Sequence, residues 1–184
     1  MKFSCNSQEF QKSITIVEKA VPQRSSLPVL ENIFLELKNK KLKLRGNDLE
    51  IGIENNIEID TESVEGSILV KAKTLSNIVS KLENKKISIE VDEKNKLFIQ
   101  GEKVDFDILG TQSSEYPDFP SVETGNSITI KVGELKSLIK HTLFSVSLDE
   151  TKPFLNGILI KNEEDKLNFV ATDGYRLALK YSDI

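Results

Sequence analysis

Apolar and polar residues alternate along most of this chain with a period of two. Such a pattern gives each segment one apolar face and is typical of half-buried antiparallel β-strands. The turn-like sequences Lys38–Lys41 and Asp92–Asn95 separate neighbouring alternating segments and predict two hairpins. The predicted strands include Ile33–Leu37, Leu42–Leu44, Ile51–Ile53, Ile57–Ile59, Ile87–Val91, Leu97–Ile99 and Val104–Ile108.

Three segments have the spacing of a helix instead, because their apolar positions recur every three or four residues. They are Ser7–Val21, Thr74–Leu82 and Val132–Phe144. The order strand, helix, several strands therefore occurs from Met1 to Ile59 and again from Ser67 to Leu109. We expect an α+β fold made of repeated strand–helix–strands units.

Residues 110–126 break this pattern. They contain Gly110, Pro117, Pro120, Gly125 and several serine and glutamate residues, a composition that predicts a linker between domains.

After this break the first unit returns at an offset of 125 residues. Ten of the 59 overlapping positions are identical without a gap, where chance gives about four on average composition. The apolar phase also agrees, which favours a repeated structural unit over two unrelated β-rich domains in chance register. The identical pairs include Glu9 and Glu134, Ile14 and Ile139, Leu30 and Leu155, Leu42 and Leu167, and Asp48 and Asp173.

The composition of the 184 residues suits a globular protein, because 38% are hydrophobic and 29% are charged. The net charge of −4 argues against adhesion to nucleic acid over the whole surface, yet it leaves room for a local basic face. The single cysteine, Cys5, excludes an internal disulfide and fits a reducing cytoplasm. No apolar run suits a signal peptide or a membrane span, so we expect a cytoplasmic protein without a membrane partner.

Lysines occupy the polar faces of the predicted helices. Ammonium groups pair with phosphates as point charges and specify no base, so this arrangement suits a polyanion held without sequence recognition. A solvated helix surface is the simpler alternative, and the helices alone favour it. The lysines are Lys12, Lys19, Lys81, Lys136 and Lys140.

No motif in the sequence supports covalent chemistry. His141 is the only histidine and is expected at the surface, and Cys5 is expected in the core. Scattered carboxylates give no metal-ligand spacing and no cofactor motif is present, so we expect neither metal nor cofactor. Asp48 and Asp173 occupy the same place in both copies and are predicted to stabilise turns, with a nuclease as the alternative.

The segment Ala171–Ala178 joins a turn, an aromatic residue and an arginine to small apolar residues. With Leu155 on a nearby strand, it suits an apolar pocket with a polar rim, as peptide-binding grooves require. A plain hairpin with exposed side chains is an equal alternative.

Several motifs, taken in order, resemble the bacterial DNA sliding clamps, the β subunits of DNA polymerase III. They are Met1–Phe3, Arg24 with Leu27–Asn32, Gly46–Glu50, Phe154–Gly157 and Ala171–Ala178. The resemblance covers the whole chain and implies a DNA-clamp fold, with antiparallel sheets outside and helices on the inner face of a ring. Three domains per subunit are implied, with two subunits closed head to tail. Residues 1–120 would be a complete first domain, 121–127 a linker, and 128–184 the N-terminal half of a second domain.

The resemblance implies a non-enzymatic processivity factor that encircles double-stranded DNA and tethers the replicative polymerase during DNA replication. Implied partners are duplex DNA, the polymerase catalytic subunit and the clamp loader through short linear motifs, and a second clamp subunit. A monomeric peptide-binding module is the alternative for this chain alone. The implied DNA-facing residues are Lys12, Lys19, Arg24, Lys81, Lys136 and Lys140; the peptide pocket is Leu155, Thr172, Gly174, Tyr175, Arg176 and Leu177; the subunit interface includes Lys73, Thr74, Phe106 and Ile108.

Two departures from the family pattern limit these expectations. The loop Leu148–Pro153 lacks the tyrosine and glutamine that some relatives use against DNA, which puts a DNA contact there in question. A third domain and the C-terminal end complete the family's pocket, so this chain offers at most half of the groove. We also expect an unpaired sheet edge and uncovered apolar strands after Leu155, with that segment poorly ordered, self-associated or paired with a neighbouring copy.

Overall fold

The structure, a computed structural model, describes residues 1–83, 85–102, 104–119, 125, 127–163 and 165–183. The chain forms two compact units, Met1–Pro120 and Ser121–Ile184. The described part of the first unit contains two four-stranded antiparallel sheets and two α-helices, and that of the second contains one three-stranded antiparallel sheet and one α-helix. The α+β class predicted from the sequence is confirmed.

Each sheet of the first unit is continued by strands from both halves of that unit. One sheet has the strand order β4-β3-β2-β5 and the other has the order β1-β6-β7-β8. The elements are β1 (Lys2–Asn6), α1 (Ser7–Val17), β2 (Asn32–Lys38), β3 (Lys41–Asn47), β4 (Gly52–Glu58), β5 (Gly66–Lys71), α2 (Ala72–Val79), β6 (Lys86–Val91), β7 (Lys96–Gln100) and β8 (Asp105–Leu109).

Local sequence explains where these elements begin and turn. The Asn6 side chain accepts hydrogen bonds from the amides of Gln8 and Glu9, at 2.9 and 3.3 Å, and so caps α1. The hairpin between β2 and β3 turns through Asn39 and Lys40, which both have positive φ, as two-residue hairpin turns of matching twist require.

One continuous core joins both sheets and both helices of the first unit. Phe3 on β1 meets Phe10 on α1 edge to face, with ring centroids 6.5 Å apart. Cys5 is buried in this core, as the alternation predicts, and desolvation raises the pKa of its thiol to about 12, so the thiol stays protonated.

The second unit has a much smaller core, built on Leu138, Leu167 and Phe169. Its sheet has the order β11-β10-β9. Its elements are α3 (Val132–Thr142), β9 (Leu159–Glu163), β10 (Lys166–Thr172) and β11 (Leu177–Asp183).

The repeat inferred from the sequence is present in the structure with the same offset. Adding 125 to the bounds of α1, β3 and β4 gives the bounds of α3, β10 and β11, and β2 and β9 end at equivalent residues. The 3₁₀ turns Glu18–Ala20 and Leu143–Ser145, which follow the two helices, also coincide. The helix and the three strands that follow it, α1 with β2–β4 and α3 with β9–β11, are therefore two copies of one unit.

Residues 110–119 differ from the prediction of a linker, because they pack on the first unit. The Leu69 and Thr111 backbones exchange two hydrogen bonds, of 3.0 and 2.9 Å, and the hydroxyls of Ser67 and Ser113 lie 2.7 Å apart. The composition of this segment correctly excludes a regular strand but does not reveal its attachment. The remainder of the predicted linker, residues 120–126, lies outside the described residues except for Gly125.

The second unit exposes the sheet edge that the sequence led us to expect. All five residues of β9 are exposed, and β9 has one strand neighbour in the described part of the unit, whereas its counterpart β2 has two. Ile139 on α3 is 37% exposed, while its counterpart Ile14 on α1 is 1% exposed. The reason is that α1 packs against α2, and residues 127–163 and 165–183 contain no counterpart of α2.

Candidate functional site

The turn between β10 and β11 is held in one shape by its own polar groups. The Asp173 carboxylate accepts hydrogen bonds from the amides of Tyr175 and Arg176, both at 3.0 Å, and Arg176 Nε donates to its second oxygen at 2.9 Å. The Thr172 hydroxyl donates to the Arg176 carbonyl at 2.7 Å and accepts from the Gly174 amide at 3.1 Å. The Arg176 and Tyr175 amides hold the pKa of Asp173 below its ordinary value.

An apolar surface lies beside this turn, on the face of the sheet directed away from the buried residues Leu167 and Phe169. It consists of the outward side chains Leu159, Val170, Leu177 and Leu179, and we call it the outer patch. Its three leucines are well exposed, at 60% for Leu159, 66% for Leu177 and 57% for Leu179. Exposed apolar surface of this kind is typical of a protein-binding site.

A concavity of about 330 Å³ adjoins the outer patch. It is lined by Leu155 and Thr172, two of the six pocket residues predicted from the resemblance. Leu155 lies in the 3₁₀ turn Pro153–Leu155 and not on a strand, so that part of the prediction was wrong. Leu177 lies on the neighbouring strand, paired with Thr172 in the sheet register. Gly174, Tyr175 and Arg176 do not line the concavity; they form the turn, where Tyr175 is fully exposed.

Sequence reasoning missed several residues of this surface. Phe154, Leu159 and Val170 line the concavity, and Leu179 extends the outer patch along β11. The sequence did contain a signal for this surface: Leu177 and Leu179 are both apolar and lie two positions apart. They therefore share the strand face opposite the buried Ala178.

The predicted DNA-facing cations are all exposed on helices or on the loops beside them. Lys12 lies on α1, Lys19 on the 3₁₀ turn after it, and Arg24 in the following loop. Lys136 and Lys140 lie on α3. Lys81 lies in the turn after α2 rather than on the helix, because α2 ends at Val79 and not at Leu82 as predicted.

Ion pairing is more frequent among the cations of the strands than among those of the α-helices. Within the described residues, no ion pair involves any of these six predicted DNA-facing cations. Seven of the eleven strand cations, in contrast, are paired with carboxylates, which cancels much of their field. The other four, which form no ion pair among the described residues, are Lys38, Lys86, Lys166 and Lys180. The strand pairs are Lys2–Glu90, Lys41–Glu58, Lys43–Glu36, Arg45–Glu54, Lys71–Glu31, Lys96–Asp107 and Lys161–Glu163.

The predicted subunit-interface residues lie at one edge of the first unit. Phe106 and Ile108 belong to β8, which is the edge strand of its sheet. Their side chains turn inward, with Phe106 half-buried and Ile108 buried, so β8 offers its backbone and its outward residue Leu109, which is 76% exposed. Lys73 and Thr74 are exposed on the first turn of α2, which packs beside β8.

Other candidate chemistry finds no support in the described part of the chain. No group of three or more His, Cys, Asp or Glu residues is placed there to hold a metal ion. His141 is exposed, and its Nδ1 lies 2.7 Å from the Ser137 carbonyl oxygen on the same helix. None of the described helices is long and apolar enough to cross a membrane.

Comparison with known proteins identifies the class as that of the DNA sliding clamps. Residues 1–120 match the family model described as "DNA polymerase III beta subunit, N-terminal domain", and residues 129–184 match "DNA polymerase III beta subunit, central domain". The chain belongs to the DNA polymerase III beta subunit family, as the sequence motifs predicted.

Individual relatives agree with this assignment. The chain is 36% identical to the beta sliding clamp of Bacillus subtilis and 34% identical to that of Synechocystis, over 98% and 97% of its length. The solved structure of a putative DNA polymerase III beta subunit from Eubacterium rectale has a TM-score of 0.93 at 35% identity, and that of the Bacillus subtilis sliding clamp has 0.91 at 34%. Both structures match 100% of this chain and 50% of their own chains. The chain thus spans about half the length of the relatives it matches.

Proposed function

We propose that this chain is part of a DNA polymerase processivity factor, a ring-shaped sliding clamp that encircles double-stranded DNA. In this proposal residues 1–120 are the first clamp domain and residues 128–184 are the N-terminal half of the second. The observation that carries the proposal is the difference in ion pairing between the cations of the α-helices and those of the strands. The four lysines of α1, α2 and α3 have no ionic partner among the described residues, while seven of the eleven strand cations are paired.

Unpaired, flexible lysines suit a surface that slides. Each lysine–phosphate contact is weak and sensitive to salt, and it carries no base preference. Lys12, Lys136 and Lys140 would therefore hold duplex DNA loosely, and a closed ring would supply retention by topology. The paired cations and net charge of −4 would discourage DNA from binding elsewhere on the protein.

The outer patch and its concavity would receive short linear motifs of the polymerase catalytic subunit and the clamp loader. An extended peptide could bury apolar side chains against Leu177 and Leu155 while the Thr172–Arg176 turn supplies a polar rim. The edge strand β8, with Lys73 and Thr74 beside it, would pair with a second clamp subunit. In the proposed role the chain is an accessory subunit and not an enzyme.

A retention assay on the full-length gene product tests encirclement. The protein is loaded by its clamp loader on nicked circular DNA and on the same DNA after linearisation. We expect the protein to remain on the circle and to leave the linear molecule through its ends. Equal loss from both molecules would exclude a ring that encloses the duplex.

A second candidate function is a peptide-binding module that acts without DNA. The exposed outer patch favours it, because that surface needs no closed ring. The two functions separate in one comparison: a clamp shows both topological retention and peptide binding, whereas a module shows peptide binding with no retention on either DNA.

A further inference from the structure

Residues 113–119, which we call the strap, lie on the β4-β3-β2-β5 sheet of the first unit, on the face directed away from the core. Two of its aromatic side chains contact that face. Tyr116 stacks on Phe34 of β2, with ring centroids 5.6 Å apart and an interplanar angle of 24°. Phe119 lies against Arg45 of β3, whose guanidinium carbon is 5.0 Å from the ring centroid. The same guanidinium is 5.7 Å from the Phe34 ring, so Arg45 contacts both aromatic residues.

The strap buries groups that would otherwise face water. Leu69 on β5 is fully buried although it lies outside the main core cluster, and its backbone pairs with Thr111, two residues before the strap. Desolvation raises the pKa of the Tyr116 hydroxyl to about 12. The strap is therefore a packed element of the first unit.

The strap contacts the counterparts of three of the four residues of the outer patch. Subtracting 125 from Leu159, Val170 and Leu177 gives Phe34, Arg45 and Gly52, and the two sets share one sheet register. Tyr116 covers the first counterpart and Phe119 covers the other two. At the equivalent positions, the outer patch of the second unit has the exposed Leu159 and Leu177 and the half-buried Val170.

Gly52 marks a difference between the two surfaces. A Cβ built on Gly52 would lie 2.6 Å from Cε1 of Phe119, so only glycine admits the ring. The second copy has Leu177 at the equivalent position of the register, and a residue with a Cβ there leaves no room for a ring placed as Phe119 is.

We propose that the first unit holds a closed counterpart of the peptide-binding surface, with the strap as its built-in ligand. This inference rests on the proposed peptide-binding role of the outer patch. The strap would keep partner peptides off the first unit, so that the two copies of one fold present one open surface. Lifting the strap would expose a site for a peptide with two aromatic residues spaced three apart, and Arg45 would contact their rings.

The test uses a fluorescently labelled peptide of the sequence of residues 113–119. Three forms of this chain are compared by fluorescence anisotropy, each also carrying Leu177→Lys to disable the outer patch. They are the otherwise unchanged chain, Tyr116→Ala/Phe119→Ala, and the matched control Phe144→Ala/Tyr181→Ala, which removes the same two side-chain types from exposed positions of the second unit. We expect the strap variant to bind the peptide about tenfold more tightly than the other two, because its aromatic contacts are vacant.

Equal affinity for all three forms would overturn the inference. If the double variant does not fold, Phe119→Ala keeps the Tyr116 stack and serves in its place. A second measurement uses Gly52→Leu, which evicts the Phe119 ring without changing the strap. Faster amide hydrogen exchange at Leu69 and in the strap is expected, and unchanged exchange would contradict the inference. Peptide binding to the chain with Leu177 intact tests the outer patch separately, so the two proposals can fail independently.

Discussion

Asp48 and Asp173 stand 125 residues apart, and each carboxylate accepts hydrogen bonds from the backbone amides two and three residues further along the chain. The residue after each aspartate, Leu49 or Gly174, has a positive φ, of 76° and 92°. The same turn thus closes the β3–β4 and β10–β11 hairpins, although the aspartate is the one residue that positions 47–51 and 172–176 share. The predicted turn role of both aspartates is confirmed.

The first prediction concerns the strained residue of this turn. A left-handed conformation costs a residue with a side chain about 1–2 kcal/mol. We expect Leu49→Gly to raise the free energy of unfolding by about 0.5–1 kcal/mol, since glycine removes the strain but loses more chain entropy. Gly174→Ala should lower it by about 1 kcal/mol. Urea unfolding followed through amide signals of each unit measures both.

Gly133 is the control for that experiment. It lies within α3 with open space around it, so Gly133→Ala should stabilise the helix by about 0.5–1 kcal/mol. A loss of stability in Leu49→Gly would show that its positive φ is not strained.

The second prediction concerns acid. Backbone amides of Ile51 and Glu50 lower the pKa of Asp48, and those of Arg176 and Tyr175 lower that of Asp173. A depressed folded-state pKa stabilises the fold above the unfolded value, near 4, and this stabilisation is lost as the pH falls through the folded-state pKa. The double variant Asp48→Asn/Asp173→Asn should therefore lose less stability than the unchanged chain between pH 6 and pH 3.

Urea midpoints across that pH range measure the difference. Some acid sensitivity should persist, because Glu31, Glu54 and Asp149 also have lowered pKa values. Asp118→Asn, at an exposed position, is the control. An acid response identical to that of the unchanged chain would assign the effect to other groups.

The third prediction concerns the unpaired lysines. The variant Lys136→Ala/Lys140→Ala should reduce the salt dependence of duplex binding at low ionic strength, by about 0.9 in the slope of log K against log salt for each lost phosphate contact. The matched control Lys161→Ala/Lys166→Ala removes two lysines from the strands of the same unit, and its slope should not change. Equal effects of the two pairs on fluorescence anisotropy with labelled duplex would refute the assignment of α3 to DNA.

The fourth prediction concerns the outer patch. Leu177→Lys places a charge where an apolar side chain of the ligand would be buried, and burying an unpaired charge is costly. We expect about tenfold weaker binding of a labelled peptide from the clamp-binding segment of the polymerase, which is about 1.4 kcal/mol. Leu143→Lys is the control, since Leu143 is 56% exposed in the same unit but follows α3. Similar affinity of both variants would remove Leu177 from the site.

The sequence predicted the regular elements well because their period is a local property. The alternation over Ile33–Leu37 and Leu42–Leu44 located β2 and β3, and the helical spacing located α1 and α3 within a few residues of their ends. The ends of the elements were predicted less accurately, because caps rather than periodicity decide them. Ile51, for example, fits the alternation but lies outside β4 and is 58% exposed.

The contacts of the strap could not be predicted in the same way. Proline, glycine and serine in residues 110–126 indicate that no strand ladder forms there, but packing onto a distant strand is a non-local property. Tyr116 and Phe119 were the only hint, since two aromatic residues are unusual in a solvated linker. Leu159, Val170 and Leu179 of the outer patch were missed for a related reason: apolar residues on both faces of a strand are also typical of strands buried on both sides.

The coincidence of element bounds has a consequence for how the two copies diverged. Ten of 59 positions kept their residue, yet no insertion or deletion separates α1–β4 from α3–β11, even in surface loops, where length changes are usually tolerated. Side chains were replaced freely while the spacing between elements was not. Changes in the length of the loops 18–31 and 143–158 should therefore be tolerated less than most substitutions within them.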